Sequence, residues 1–506
     1  MVLATAFGQT HVPMRYGGTL VVGLSMGDPD ALDPSVSRSF SSIVIYRTMC
    51  LKLYDPNSKL QIVPQLASAL PVISKDKLSY SIPLRRGIRF NDDTPFDAQA
   101  VITTLQRNLT IIGSSRASDL GPIDSMSAPG PHTVVIHLKS PYTPLTAALA
   151  SPAGAILSPT QLVKRGNTFG AAPVCVGPFM FDHRVAGDNV TVIKSPYYYD
   201  NRDVYLDKIV FKPAADAAAA AAALKAGDLQ ALDSVATTEL AGVQHTSSLH
   251  TLKANGLGYE AVFVNMGNKN GVNNLPYGGV DTPLASSAKL RQAFEEAINR
   301  NTLSRVVFGD HVLPGCTPVS PASTWFDARF KCTPYNPADA KRLVAASGVS
   351  SPTVHLLTQN LTDQLLLAQF IQAQEAVVGI NVVIDAADPA TTVARATKGN
   401  YDAYLNSWSG GNDPDRNIFA FLATSGSRNY SGYSSPRLDL ILSNGRKAIT
   451  DQARKTLYHA AVQVILTDRP LIYLYHPIRY AGVSAKVTGV QLWPDTQLRV
   501  ASAQIK

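Results

Sequence analysis

The sequence predicts an α/β protein whose lobes are interleaved along the chain rather than strung end to end. Two observations carry this. Apolar Val354–Leu357, a helical stretch Thr362–Val378 and apolar Ile380–Ile384 form the strand–helix–strand unit of an α/β layer. No Gly/Ser-rich linker separates the halves of a 506-residue chain. That length suits roughly two to four domains, so lobes without a linker must be joined by several crossings.

The elements follow in order. Gly18–Leu24 is a buried strand, followed by a turn-rich loop, Asp28–Pro34. Ser41–Leu53 is apolar and reads as a helix. Ser79–Leu84 and His132–Leu138 alternate in the period of a strand. Between them Asp97 caps a helix through Asn108, with Ala98, Val101, Ile102 and Leu105 on one face. Asp182–Pro196 reads as a hairpin around Gly187. The alanine run from Ala217 is a helix stopped by Gly227. Tyr259–Asn265 is a strand, and Ala288–Phe308 a single helix with Leu290, Phe294, Ala297, Ile298 and Val306 in register. Asn336-Pro337 opens a helix that Gly348 ends. Gln452–Thr467 is the last helix and Leu471–Tyr475 the last strand.

Composition excludes whole classes. The chain is 45% hydrophobic and 16% charged, which rules out a disordered polymer and allows a large core. Its net charge of +8 is spread thinly; the densest run is Arg85–Arg89, so no nucleic-acid partner is expected. No apolar run reaches the length of a transmembrane helix. Met1 to Tyr16 contains a short apolar piece without a basic region before it, which fits the remnant of a signal peptide. Four cysteines stand at 50, 175, 316 and 332, in no C-x-x-C spacing. Cys316 and Cys332 flank a Pro-rich loop that a disulfide would restrict. Cys50 with Cys175 is a further candidate pair, and two buried thiols are the alternative. Disulfides imply an oxidising, exported setting.

Enzymatic motifs fail. Gly23-Leu24-Ser25-Met26-Gly27 fits G-x-S-x-G, yet too little chain precedes Ser25 to supply the oxyanion hole of a hydrolase. A serine hydrolase using Ser25 is therefore a remote alternative. The histidines are scattered, and no phosphate-binding loop or metal-ligand set occurs. No cofactor, metal or catalytic residue is expected.

Several stretches resemble one family in order. Leu60–Leu109, with Arg86-Gly87, Phe90-Asn91-Asp92 and Thr94-Pro95-Phe96, is similar to the signature region of family 5 extracytoplasmic solute-binding proteins. Gly177-Pro178-Phe179, Leu224–Asp233, Phe263-Val264-Asn265 with Leu290–Ala293, and Tyr401–Phe419 resemble later motifs. The resemblance implies a two-lobed, type II-like periplasmic-binding-protein fold with an extra inserted domain. Lobe I would hold 17–46, 173–258 and 478–506; the extra domain 47–172; and lobe II 259–477. It implies a monomer, exported to the periplasm or otherwise outside the cytoplasm, either free or membrane-anchored through a removed N-terminal segment. Such a protein captures a peptide-like or other polar solute by hinge closure and hands it to an ABC permease. A sugar or metal chelate is the alternative ligand.

By the same resemblance the Asp33-Pro34 loop and the Trp408 loop face each other across the cleft. Trp408, in a polar loop with Ser409, Gly411 and Asn412, would stack on the ligand or, as the alternative, anchor the loop in the core. Peptide-binding members place an aspartate where this chain has Gly411; Asp413 could replace it as partner of an ammonium, or could cap the next helix. Dipeptide-specific members carry an arginine where this chain has Thr358-Gln359-Asn360. Both anchors of a dipeptide are thus missing or displaced. Asn265, Tyr46, Arg47 and Tyr430 complete the candidate ligand contacts.

Overall fold

The computed structural model describes residues 16–506. The reading of Met1 to Arg15 as a signal remnant lies outside the described residues. One mixed sheet runs through both lobes. Its strand order is Asn381–Ala387, Thr353–Gln359, Ala403–Trp408, Tyr259–Val264, Leu471–Ser484, Ala231–Leu232, Thr19–Leu24, Lys208–Pro213, Asn189–Lys194 and Phe179–Val185. The strand Leu471–Ser484 is the shared member. Its first half pairs antiparallel with Tyr259–Val264, and its second half with Leu249–Asn255, up to Leu249 opposite Ser484. One strand therefore belongs to both lobes. Its neighbours 255 to 259 cross beside it, which gives the hinge two adjacent strands.

The sequence reading stopped this strand at Tyr475. It runs nine residues further, through Pro477, a residue that usually ends a strand because it has no N–H to donate. Here only the Pro477 carbonyl is needed, and it accepts from Gly256 N at 2.8 Å.

Local signals place most other elements. Asp97 accepts from Ala100 N and starts the helix Ala98–Thr110, whose buried face includes Val101, Thr104 and Leu105. The alanine-rich helix Ala217–Ala226 stops at Gly227, in the left-handed conformation at φ 91°. Thr362–Val378 is one helix. The single helix expected over Ala288–Phe308 is two, Ala288–Ala297 and Arg300–Phe308. Ile298 is extended, and the Asn299 side chain accepts from Thr302 N, starting a new helix. The break turns Val306 to solvent, with 66% of its surface exposed, instead of into the core. Likewise, the helix opened by Pro337 closes at Ala345, before Gly348.

Separate cores fill the layers. One draws its buried residues from Leu51 to Val176 and covers a four-stranded sheet that includes Ser79–Pro83 and Thr133–Leu138. Two lie between Tyr259 and Tyr475. Another joins Leu20, Val44 and Phe211 to Val483 and Val500, so the chain end returns to pack on its beginning. Both cysteine pairs are disulfides, Cys50–Cys175 and Cys316–Cys332. The first ties the end of the helix Phe40–Met49 to the segment that leaves the inserted domain.

Candidate functional site

A chamber with an empty volume of about 1520 Å³, its open mouth included, lies where the three parts meet. Tyr46 and Arg47 reach it from the helix Phe40–Met49, Leu60 and Tyr142 from the inserted domain, and Ser409–Asp413 with Arg416 from the second lobe. The parts touch directly around it. Asn412 Nδ2 donates to Leu60 O at 2.7 Å, and Thr143 donates its N–H to Arg446 O and its hydroxyl to Ala448 O. These contacts join the inserted domain to the second lobe at the edge of the chamber.

The 409–413 loop is built by close approach. A Cβ on Gly258 would lie 1.8 Å from Trp408 O, and one on Gly410, at φ 87°, would lie 2.3 Å from Leu257 C. Glycine at both positions lets the loop rest on the hinge crossing. Asn417 then fixes it. Its Oδ1 accepts from Trp408 Nε1 at 3.0 Å and from Gly411 N at 2.8 Å, and its Nδ2 donates to Gly411 O.

The expected contacts divide. Ser409, Gly411, Asn412, Asp413, Tyr46 and Arg47 all line the chamber. Trp408 does not. Its ring packs edge-on against Phe421 at 5.1 Å and lies under two guanidiniums, Arg428 at 4.7 Å and Arg416 at 5.6 Å. It anchors the loop and faces a second, polar chamber with Tyr430. Asn265 is buried away from both chambers, where its amide donates to Gly399 O and Tyr401 O while its oxygen accepts from Asn268 N. All its polar capacity holds a turn together.

The expected opposition of the Asp33-Pro34 loop and the Trp408 loop is indirect. Asp33 is held by Arg107 in two hydrogen bonds, and Arg116 donates to Pro34 O and Ser37 O. Segment 114–119 is thereby laid over that loop, and its Ser118 and Asp119 are what face the Trp408 loop.

Asp413 does two things. It caps the helix Pro414–Leu422, accepting from Asp415 N, and it receives two hydrogen bonds from Arg454, at 2.7 and 2.8 Å. The pairing outweighs burial and holds the Arg454 guanidinium above its ordinary range. Asp415 is paired in the same way with Arg446 and accepts from the Tyr458 hydroxyl. On the opposite wall Arg47 bonds Asp55 and Asp495, Lys52 bonds Asp55, and Arg499 bonds Asp495. Burial pushes Lys52 down to about 8 against the pull of Asp55. The chamber walls are therefore largely self-neutralised.

Three groups are left over. The Tyr46 hydroxyl is buried without a hydrogen-bond partner, and burial pushes its pKa up to about 12. Arg416 has no ion-pair partner within 4.0 Å among the described residues; burial lowers its pKa, with Asp119 pulling the other way. Asp119 is likewise outside every ion pair of the described residues. Sequence reasoning missed Arg416, Asp119 and Asn417. Arg416 and Asn417 lie in the stretch Tyr401–Phe419 that resembles a family motif, but nothing in the sequence marks Asp119.

Ser25, the remote catalytic candidate, follows the first strand, and its N–H donates to Asp233 Oδ1 at 2.8 Å. Its place is a turn on the first strand.

A two-lobed fold, a hinge made of shared strands and a chamber between lobes define a solute-binding protein. The family model "Bacterial extracellular solute-binding proteins, family 5 Middle" matches residues 61–430, and the chain belongs to that family. It is a binding component of an ABC importer and not an enzyme, and proteins of this family work outside the cytoplasm. No described helix is long and apolar enough to cross a membrane. Among relatives, the chain is 28% identical over 489 residues to the glutathione-binding protein GsiB of Pectobacterium atrosepticum, covering 94% of this chain and 92% of that protein. It is 29% identical over 490 residues to GsiB of Escherichia coli K12, with the same coverage. The oligopeptide-binding protein AppA of Bacillus subtilis, solved with a nonapeptide, superposes with a TM-score of 0.86 at 22% identity over 98% of this chain and all of that one. DppA of Helicobacter pylori, solved with the peptide STSA, gives 0.84 at 22% over 97% and 98%.

Proposed function

We propose that this protein captures a short peptide-like solute in the chamber between its lobes and delivers it to an ABC permease. The observation that carries this reading is the set of uncommitted groups on an otherwise neutralised wall: Asp119, Arg416 and the Tyr46 hydroxyl. A buried ion or hydroxyl without a partner is costly, and a zwitterion supplies both an ammonium for Asp119 and a carboxylate for Arg416. Asp413, already held by Arg454, is not the ammonium partner; its part is to shape the loop whose Ser409, Gly411 and Asn412 face the solute. Tyr46 and Arg47 form the opposite wall, while Trp408, Tyr430 and Asn265 support the loop from behind. The names of the GsiB relatives point to a glutathione-sized peptide.

The lobes would be 17–46 with 173–258 and 478–506, and 259–477, with 47–172 as the inserted domain. Binding shifts the equilibrium between open and closed forms, because only the closed form brings Asp119 and Arg416 to one solute. The protein acts as a monomer in the periplasm or on the outer face of a membrane.

Mass spectrometry of solute released by mild denaturation, followed by titration calorimetry of the emptied protein with glutathione, short peptides, a disaccharide and nickel–histidine, tests this. Peptide-like material binding at one site per chain is expected. Tight binding of the sugar or the chelate alone would contradict it.

A further inference from the structure

The polar chamber beside the main one has an empty volume of about 880 Å³, and the two share Ser118, Asp119, Arg416, Ala420 and Ser427 on their walls. Its ionisable wall groups are Arg38, Asp119, Arg416 and Arg428, apart from the Tyr430 hydroxyl. Three are cations and one is an anion. The contrast with the main chamber is sharp: there Arg47, Lys52 and Arg446 each have a carboxylate within 4.0 Å. Among the described residues neither Arg416 nor Arg428 bonds a carboxylate or a carbonyl through its guanidinium. The Arg38 guanidinium donates only to the Ser115 hydroxyl, at 3.1 Å. Behind them Arg116, 3% exposed, bonds only backbone carbonyls and the Ser115 side adds no acid.

The face of Trp408 softens this charge through cation–π contact with Arg416 and Arg428, but supplies no counter-charge. Guanidiniums half removed from water, with their planar forks unfilled, are suited to carboxylate.

We propose that the solute carries more carboxylates than ammonium groups and places one acidic group in the polar chamber, between Arg416 and Arg428. This rests on the solute-binding reading of the cleft and names the class of solute. The unpaired cations of this wall outnumber its one acid, Asp119, and the cations Arg47, Lys52 and Arg446 of the main chamber are already paired, so a solute of net negative charge, an acidic peptide or amino-acid conjugate, answers the walls better than a neutral one. The surplus also attracts such anions from solution.

Three probes of nearly equal shape test it by calorimetry on the emptied protein. They are glutathione, its C-terminal glycinamide, and 4-aminobutyryl-cysteinyl-glycine, which lacks the glutamyl carboxylate. Removing at least one of the two carboxylates should weaken binding tenfold or more in the wild-type protein. In Arg428→Gln that penalty should shrink toward none, and Arg428→Lys should restore part of it. If both neutralised probes bind as well as glutathione, or the penalty survives in Arg428→Gln, the anion site is overturned while the peptide reading stands. If none of the three binds, the glutathione-sized reading fails and the inference falls with it, while other peptides still test the broader one.

Discussion

Asp413 shows how one residue can be read two ways until its neighbours are known. The sequence places it five residues after Trp408 and next to Pro414, a position that suits either a ligand's ammonium or a helix cap. What decides between them is Arg454, forty-one positions away on the helix Asp451–Asp468. Arg454→Met leaves the buried Asp413 carboxylate unpaired and should cost about 3–5 kcal/mol, seen as a lower urea midpoint at unchanged slope. Asp413→Asn keeps the cap but leaves the buried Arg454 guanidinium without its counter-charge, so a comparable loss is expected there. The candidate site was legible as a loop, 408–413, because glycines, Asn412 and Trp408 mark it locally. Arg416 lay in the same stretch, but its freedom from any carboxylate is a fact of packing. Asp119 was illegible for the same reason: its place across the cleft depends on Arg116 reaching Pro34 and Ser37.

At the scale of elements, local chemistry was a good guide where it acted alone. Asp97, Gly227 and the apolar period of Thr362–Val378 set their elements without help. Asp97→Ala should lower stability by about 1 kcal/mol through the lost cap, measurable by thermal melting. The failures came where a distant partner entered. Arg300 starts a new helix because its guanidinium is buried against Glu295 and the Tyr473 carbonyl. The strand past Tyr475 continues because two other strands accept it. Glu260, in the hinge-side strand Tyr259–Val264, carries a pH dependence. Burial raises its pKa from 4.5 to about 8. The unfolded chain releases this proton first, so the stabilising effect is full below about pH 4.5 and is lost as the pH rises to about 8. The melting temperature of the wild type should therefore fall across that window more than that of Glu260→Gln; parallel curves would count against it.

At the scale of the molecule, the lobes are linked by a strand they share and joined by a few polar contacts across the cleft. The interleaving was legible from the missing linker and the ordered family motifs; the identity of the shared strand was not, because no local pattern distinguishes it. Asn412→Ala removes one bond that crosses the chamber, from Asn412 to Leu60 O. It should weaken solute binding by about 1 kcal/mol, or roughly fivefold, and raise the radius of gyration of the solute-free protein in small-angle scattering or leave it unchanged, without lowering its melting temperature. The central claim is capture between the lobes. Its most direct test is a crystal structure of the protein with the solute that co-purifies with it. That solute should be enclosed in the chamber, within hydrogen-bond distance of Asp119, Arg416 and the Tyr46 hydroxyl; a solute bound elsewhere, with these groups still unpartnered, would rule out capture between the lobes.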